Sequence, residues 1–422
     1  MEISILSLNP WWKTGEIEEE YKTSIDRVLL GEILKYLENR QILSITGLRR
    51  VGKTTLIHRI INSLLNKKIK KEEILYYNFD MGAIEIEELL NKYEQTTGIK
   101  IKEEKIIFVF LDEIQKLAGW HNKLKLIYDL NRNIKFFISG SASLFIEKRT
   151  KESLAGRVFS FQLSPLTFKE FLKFKNFKEK QYKLWREELN EIFLQYLKTG
   201  GFPEIVNEKS EEKIKAYIKE SVIDRIVYID IPQVFKIEEP ELLVRLISII
   251  SSNPGMILDF NNLADDLDRD RKTISAYLFY LEKAFLIKKL YNFSQNTLTS
   301  ERKGKRFYPS STALSYFFNA EIPKLIENSV AISLNTKFFY RKQNYEVDFI
   351  DLKEDKKINA IEVKYKDEIK KEELSGLKYF LNHFNKKFKI SPVLITKDSE
   401  EEIKIKEIAI KPIPIVKFML EV

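Results

Sequence analysis

A chain of 422 residues is too long for one ordinary domain, and two to four compact units with sizeable cores are expected. The absence of cysteine excludes disulfides, thiolate nucleophiles and zinc–sulfur sites, and His58, His121 and His383 sit far apart without ligand spacing, so catalysis would rest on carboxylates, lysine and bound metal. The net charge of +9 favours polyanionic partners weakly, since 71 basic and 62 acidic residues also read as a mixed charged surface; with no apolar run near the roughly 20 residues of a spanning helix, a soluble, cytoplasmic protein without membrane contact is expected.

Met1 to Leu37 carries Asn9-Pro10-Trp11-Trp12, an acidic run from Glu16 to Glu20, and a helical pattern through Val28, Leu29, Ile33, Leu34 and Leu37. An adenine needs an apolar or planar cover, so Trp11, Trp12 and Arg27 are candidates to line a base, with core anchoring as the other use of bulky aromatics. The apolar run Ile42 to Ile45 then leads into Gly47-Leu48-Arg49-Arg50-Val51-Gly52-Lys53-Thr54, and a helical pattern opens near Thr55. Every position of the phosphate-binding G-x-x-x-x-G-K-T loop is filled. Gly47 and Gly52 lack a Cβ and let the backbone turn its N–H groups inward, while the following helix adds the positive end of its dipole. Gly47 through Thr55 is therefore the expected ATP cradle, with Lys53 on the β- and γ-phosphates and Thr54 on Mg²⁺.

Further apolar runs at Ile74 to Phe79, Lys105 to Leu111, Ile134 to Ile138 and Val158 to Leu163 alternate with helical or polar segments. The pattern predicts an α/β fold with a parallel sheet covered on both faces and ligands at the carboxyl ends of its strands. The run ending at Leu111 continues into Asp112-Glu113. Asp112 is expected to hold Mg²⁺, and Glu113 to accept a proton from, or orient, the water that attacks the γ-phosphate. At the next strand end, Ser139 or Ser141 would sense that phosphate. Arg157 precedes the last run, where a guanidinium could stabilise transition-state charge in cis or on a neighbouring subunit's nucleotide, which makes a homo-oligomer one expectation.

With these motifs the chain resembles the archaeal and bacterial P-loop ATPases of AAA+ and STAND-like type that carry a C-terminal winged helix and a restriction-endonuclease-like domain. The matching pieces are GLRRVGKT at Gly47 to Thr54, FLDEIQ at Phe110 to Gln115, ISGSAS at Ile138 to Ser143, LAGRVFSFQLSPLTFKEF at Leu154 to Phe171 and GGFPEIV at Gly200 to Val206. The resemblance implies an ATPase core over residues 1–165 and a helical lid over 166–239. It places Arg157 at the arginine-finger position and Pro203 in the lid segment that closes over the adenine.

From residue 240 to 295, helical patterns at Leu242 to Ile250, Asn261 to Leu267 and Arg271 to Leu281, followed by a β-like run at Ile287 to Phe293, have the order of a winged helix. Its third helix would turn Ile274, Leu278 and Leu281 inward and expose Arg271, Lys272 and Ser275 to double-stranded DNA, with protein contact as the alternative use. Residues 296–422 open with Arg302-Lys303-Gly304-Lys305-Arg306, a phosphate-contact loop or a solvated face. The strands beyond are similar to the PD-(D/E)xK nuclease core, and strand alternation sets Glu362 and Lys364 on one face. That resemblance implies Asp348 and Glu362 as metal ligands, Lys364 as the group that activates water and Glu327 as an accessory acid, although Val347 stands where the family pattern has proline. Two functions follow: an ATP-driven DNA-binding ATPase whose C-terminal domain cuts nucleic acid, or an ATP-controlled switch in which that domain is a noncatalytic scaffold.

Overall fold

The apolar runs around the phosphate loop become five parallel strands in a computed structural model that describes residues 4–22, 25–82, 84–101, 105–140, 153–178, 182–405 and 408–422. They are β1 (Ile42–Thr46), β2 (Ile74–Asn78), β3 (Ile107–Asp112), β4 (Ile134–Gly140) and β5 (Val158–Gln162), in the order β2-β3-β4-β1-β5. Because all run parallel, Thr46 is level with Gly140 and Asn78 with Asp112, so the loop after β1 and the acids after β3 share one edge. β1, β3 and β4 are buried throughout, as central strands covered on both faces must be.

The edge strand β2 is sealed by the N-terminal segment. Asn9 pairs its side-chain amide with the backbone of Tyr76 at 2.7 and 3.0 Å, and the indole nitrogens of Trp11 and Trp12 donate to the Ile74 carbonyl at 3.2 and 2.8 Å. Backbone groups that would otherwise template another strand are thus satisfied within the chain. Trp11 and Trp12 are core anchors of this edge and do not line a base. Arg27 instead ties the loop region together, donating to the carbonyls of Val51 at 3.0 Å and Ser164 at 2.7 Å.

The chain forms two compact units, one of Met1–Leu166 with Tyr228–Ile237 and one of Thr167–Val227 with Glu238–Val422. The segment expected as a separate lid therefore divides: most of it builds the second unit, and Tyr228–Ile237 returns to the first. Within the second unit, the helix Arg186–Thr199 packs against the helix Thr312–Phe317, and the Ser311 hydroxyl donates to the Gly200 carbonyl at 3.0 Å.

The second unit is built on one eight-stranded mixed sheet. Its strands are β6 (Met256–Leu258), β7 (Ile287–Asn292), β8 (Lys305–Pro309), β9 (Phe338–Lys342), β10 (Tyr345–Leu352), β11 (Lys357–Lys364) and β12 (Lys389–Thr396), followed by a small hairpin of β13 (Ile403–Ile405) and β14 (Ile408–Ile410), and by β15 (Ile413–Pro414). The order β15-β12-β11-β10-β9-β7-β8-β6 joins the winged-helix strands to the nuclease-like strands through a parallel pairing of β7 with β9, Tyr291 opposite Phe338. The expected boundary at residue 295 therefore falls inside a continuous sheet. Across β10 lies the helix Ser375–Phe384, whose Gly376 comes so near that a Cβ there would sit 1.9 Å from the Glu346 carbonyl oxygen. Only glycine admits this contact, which lets Leu377, Phe380 and Phe384 reach the core formed by Val347, Ile350 and Ala360.

Candidate functional site

The loop between β1 and the helix Lys53–Asn66 takes its shape from two positions. Gly52 has φ of 93°, a left-handed conformation, and a Cβ on Gly47 would lie 2.2 Å from the carbonyl oxygen of Leu163, the residue after β5. Gly47 thus meets a packing demand and a backbone one, since its φ of 153° is also one that L side chains rarely adopt. Lys53 opens the helix, is buried, and donates to the Gly47 and Leu48 carbonyls at 3.2 and 3.1 Å, so its ammonium lies within the loop's own concavity. Thr55 follows on the first helical turn, half-buried, while Val51 and Leu48 are packed into the core.

Asp112, fully buried, gathers the site. Its Oδ2 accepts from the Thr54 hydroxyl at 2.7 Å and the Tyr76 hydroxyl at 3.0 Å; its Oδ1 accepts from the Glu113 N–H at 3.1 Å and from the Ser139 hydroxyl. These donors come from the helix after the loop and from β2 and β4 on either side of β3, so the strand order itself assembles the constellation. Burial and the neighbouring Asp112 charge push the Tyr76 phenol far up, leaving it a neutral donor. A hydroxyl and a carboxylate at this spacing form a hard-oxygen pair that fits Mg²⁺.

Glu113 sits in the left-handed region, φ 51° and ψ 40°, an uncommon backbone for a non-glycine residue and one that concentrates at functional sites. Burial pushes its carboxyl above the usual glutamate range, Lys53 draws it back and Asp112 raises it again, while the Gln115 amide donates to Oε2. A carboxylate so placed is a stronger base than one in water.

Other expected residues lie elsewhere. Arg157 is bidentate to Asp129 at 2.9 and 3.0 Å, and its carbonyl accepts from the N–H of Ile42 at the start of β1. It therefore stands at the amino edge of the sheet, a strand length of roughly 17 Å from the loop, and the expectation that it serves its own nucleotide is corrected. Arg49 makes a two-point ion pair with Asp230 at 2.6 and 2.7 Å, which fixes Tyr228–Ile237 to the phosphate loop, while Arg50 is exposed with φ of 65°. Pro203 opens a short helix, Pro203–Ile205, in the second unit. Ser141 lies outside the described residues.

Beneath the loop, His58 is stacked on Tyr21 with ring centroids 3.8 Å apart, and its Nδ1 has no hydrogen-bond partner. Burial lowers its pKa to about 3. The native imidazole stays neutral where an unfolded one, near 6.5, takes up a proton, so stability is fully present above about pH 6.5 and is lost toward pH 3. The expected slope is at most about 1.4 kcal/mol per pH unit for this group. Urea unfolding of the first unit at pH 6.5 and pH 5, followed by the fluorescence of Trp11, Trp12 and Trp120 with Trp185 replaced by phenylalanine, should give a smaller difference for His58→Phe than for the parent; equal differences would remove His58 as the cause.

In the second unit, the helix Arg271–Lys283 is capped by Asp270, whose Oδ1 accepts from the Lys272 and Thr273 N–H groups at 2.8 and 3.0 Å. Ile274, Leu278 and Leu281 are buried; Arg271, Lys272 and Ser275 are exposed and line an open cavity of about 1170 Å³, together with Phe279, Lys289 and Lys305. The two added lysines arrive from β7 and β8, a contribution that helix periodicity cannot reveal.

The nuclease-like residues also meet. Asp348 on β10 accepts from the N–H of Val363 on β11 at 2.9 Å, and Lys364 donates to Glu362 at 2.6 Å. Burial and Asp348 raise the Glu362 carboxyl to about 8, against the pull of Lys364. Arg306, read from sequence as part of a solvated or phosphate-contacting stretch, is instead buried among these acids. Its Nη1 lies 3.4 Å from Asp348 and 3.8 Å from Glu327, its Nη2 pairs with Glu346, and Tyr308 donates to Glu327 at 2.7 Å. The usable signal was the alternation in Lys305-Arg306-Phe307-Tyr308, which sets Arg306 and Tyr308 on one strand face. Among the described residues there is no group of three or more acids or histidines arranged to hold a metal ion.

A five-stranded parallel sheet with a G-x-x-x-x-G-K-T loop, Asp112 and Ser139 at its carboxyl edge defines a P-loop ATPase domain of AAA+ type, and a family model described as an AAA domain matches residues 39–172. Two models of domains of unknown function, DUF8612 and DUF4143, match residues 190–318 and 325–416. The chain belongs to the family of the uncharacterized protein MJ1544 of Methanocaldococcus jannaschii, with 31% identity over 340 residues covering 77% of this chain and 75% of that protein. The uncharacterized protein MJ1637 of the same organism is 28% identical over 381 residues, 81% of this chain and 78% of its own. Among solved structures, Cdc6p from Pyrobaculum aerophilum aligns with TM-score 0.32 and 11% identity over 75% of this chain and 98% of that one. No described helix is long and apolar enough to cross a membrane.

Proposed function

We propose that the chain binds ATP with Mg²⁺, hydrolyses it, and uses the cycle to control its grip on duplex DNA. The observation that carries the ATPase is the convergence of Thr54, Tyr76, Ser139 and the Glu113 N–H on one buried carboxylate, Asp112. A carboxylate locked from four sides is preorganised in position and charge, which is what a metal-holding group at a phosphate site requires. Thr54 and Asp112 would hold Mg²⁺, which supplies charge neutralisation on the phosphates. Lys53 turns its ammonium from the loop carbonyls to the bound phosphate, the loop N–H groups orient it, and Glu113 takes the proton of the attacking water. Ser139, already bonded to Asp112, stands beside the γ-phosphate position. Arg157, at the amino edge, can act only on a nucleotide held by a second copy of the chain. Phosphate release from ATP, measured with and without duplex DNA, tests the proposal; a pure parent chain that releases none under either condition would sink it.

DNA contact rests on the exposed Arg271, Lys272 and Ser275 over a cavity also lined by Lys289 and Lys305. Phosphate contacts of this kind are insensitive to sequence and release counterions. Reversing both charges, Arg271→Glu with Lys272→Glu, should weaken binding alike on unrelated duplexes and lower the slope of log affinity against log salt by about 2. A double variant that binds as the parent does would remove this helix from the contact surface. The second unit binds rather than cuts in this scheme, because its carboxylates already hold a guanidinium.

A further inference from the structure

We propose that Arg306 is the resident cation of the nuclease-like cluster, standing where a divalent ion would otherwise be held, so that the parent chain keeps no metal there. The inference rests on the second unit's role as a noncatalytic module. It follows from charge and from the use of oxygen atoms. Four acids, Glu327, Glu346, Asp348 and Glu362, meet four cations: Arg306 against the first three, Lys324 also on Glu327 at 3.0 Å, Arg341 also on Glu346 at 3.6 Å, and Lys364 on Glu362 at 2.6 Å. Even with all four acids ionised, the four cations leave no net negative charge in the cluster. A divalent ion would add two charges beside a guanidinium that is 4% exposed and cannot give up its proton.

The oxygen atoms lead to the same conclusion. Asp348 spends Oδ1 on Arg306 and Oδ2 on the Val363 N–H; Glu327 spends Oε1 on Tyr308 and Oε2 on Lys324; Glu362 spends Oε1 on Lys364. Glu362 Oε2 alone among these is buried without a partner. The donors around Asp112 are neutral hydroxyls and an N–H, whereas Arg306, Lys324 and Lys364 here are cations that repel a divalent ion, and only Glu362 Oε2 and Glu346 Oε2, 3.6 Å from Arg341, are left without a hydrogen bond. The guanidinium is further fixed by the Phe339 ring, its centroid 4.9 Å away. Arg306 therefore closes the site by position and not by transient charge. Removing it would free Asp348 Oδ1 and Glu346 Oε1 beside Glu362 Oε2, a set of hard oxygen ligands without the guanidinium's positive charge. A latent divalent-metal site lies under the arginine.

The experiment is Mn²⁺ binding to the full chain without nucleotide, followed by electron paramagnetic resonance and calorimetry. The parent and Asp348→Asn should bind the same number of Mn²⁺ ions. Arg306→Met should gain one equivalent, lost again in Arg306→Met with Asp348→Asn. An Asp348-dependent ion in the parent overturns the proposal, as does a folded Arg306→Met that gains none. Should Arg306→Met fail to fold, the parent comparison still decides, and Arg306→Lys, which keeps a cation, should bind no more Mn²⁺ than the parent; an extra ion there also overturns it. Because no readout involves ATP, failure here is separable from failure of the ATPase assignment.

Discussion

The Glu113→Gln chain is expected to bind Mg²⁺-ATP with near-parental affinity and to turn it over about 10²–10⁴-fold more slowly. The substitution keeps the size of the side chain and an oxygen that can still accept from Gln115, so the left-handed turn and the Asp112 network need not move. What it removes is the only carboxylate base adjoining Asp112 in β3 and its turn. Asp112 itself is the carboxylate assigned to Mg²⁺, held in place by Thr54, Tyr76, Ser139 and the Glu113 N–H, which leaves Glu113 as the base. Lys53→Ala should behave differently and lose nucleotide binding, because the buried ammonium is the loop's own counter-charge for the phosphates. Fluorescent-nucleotide binding and steady-state phosphate release distinguish the two variants. A Glu113→Gln protein that hydrolyses at the parental rate would refute the assignment of the base.

Arg306→Met should destabilise the second unit by about 3–5 kcal/mol, the usual result of removing one partner from a buried charged group. Asp348 loses its cation while remaining in a desolvated place, the partly exposed Glu346 keeps only Arg341, and Glu327 keeps only Lys324 and Tyr308. Removing a matching acid should restore part of the loss: Arg306→Met with Asp348→Asn should cost less than the sum of the two single changes, because these side chains act in one network. Unfolding of a chain with two compact units is not a single transition, so the readout must be local. Trp185 is the only tryptophan of the second unit, whereas Trp11, Trp12 and Trp120 belong to the first. Denaturant titration followed at Trp185 in a background with the other three replaced by phenylalanine isolates the effect. Additive losses would show that Arg306 and Asp348 are not coupled.

Much of the ATPase site was legible because its chemistry is contiguous. Gly47 to Thr54 and Asp112-Glu113 each specify a strand end, a turn and the groups placed there, and the dictates of a phosphate loop are local backbone demands. The inward face of Arg271–Lys283 was equally plain, since a 3.6-residue period and the Asp270 cap act within a few residues. Trp11 and Trp12 show the limit: their apolar bulk required burial, but whether against a base or against β2 depended on which strand became the sheet edge.

Tertiary structure alone decided the rest. Arg49 and Asp230 are 181 residues apart, and no local pattern selects that partner over other acids. Tyr76 reaches Asp112 because β2 was laid beside β3, and Arg306 reaches Asp348, 42 residues on, because β7 paired with β9 and merged two expected domains into one sheet. Strand neighbours and their register are settled by which surfaces the whole chain can bury together, a quantity no short window of sequence contains. The sequence by itself determined the phosphate loop, its acids and the exposed basic helix; the fold decided that Arg157 faces away from the loop and that the second set of acids closes around an arginine.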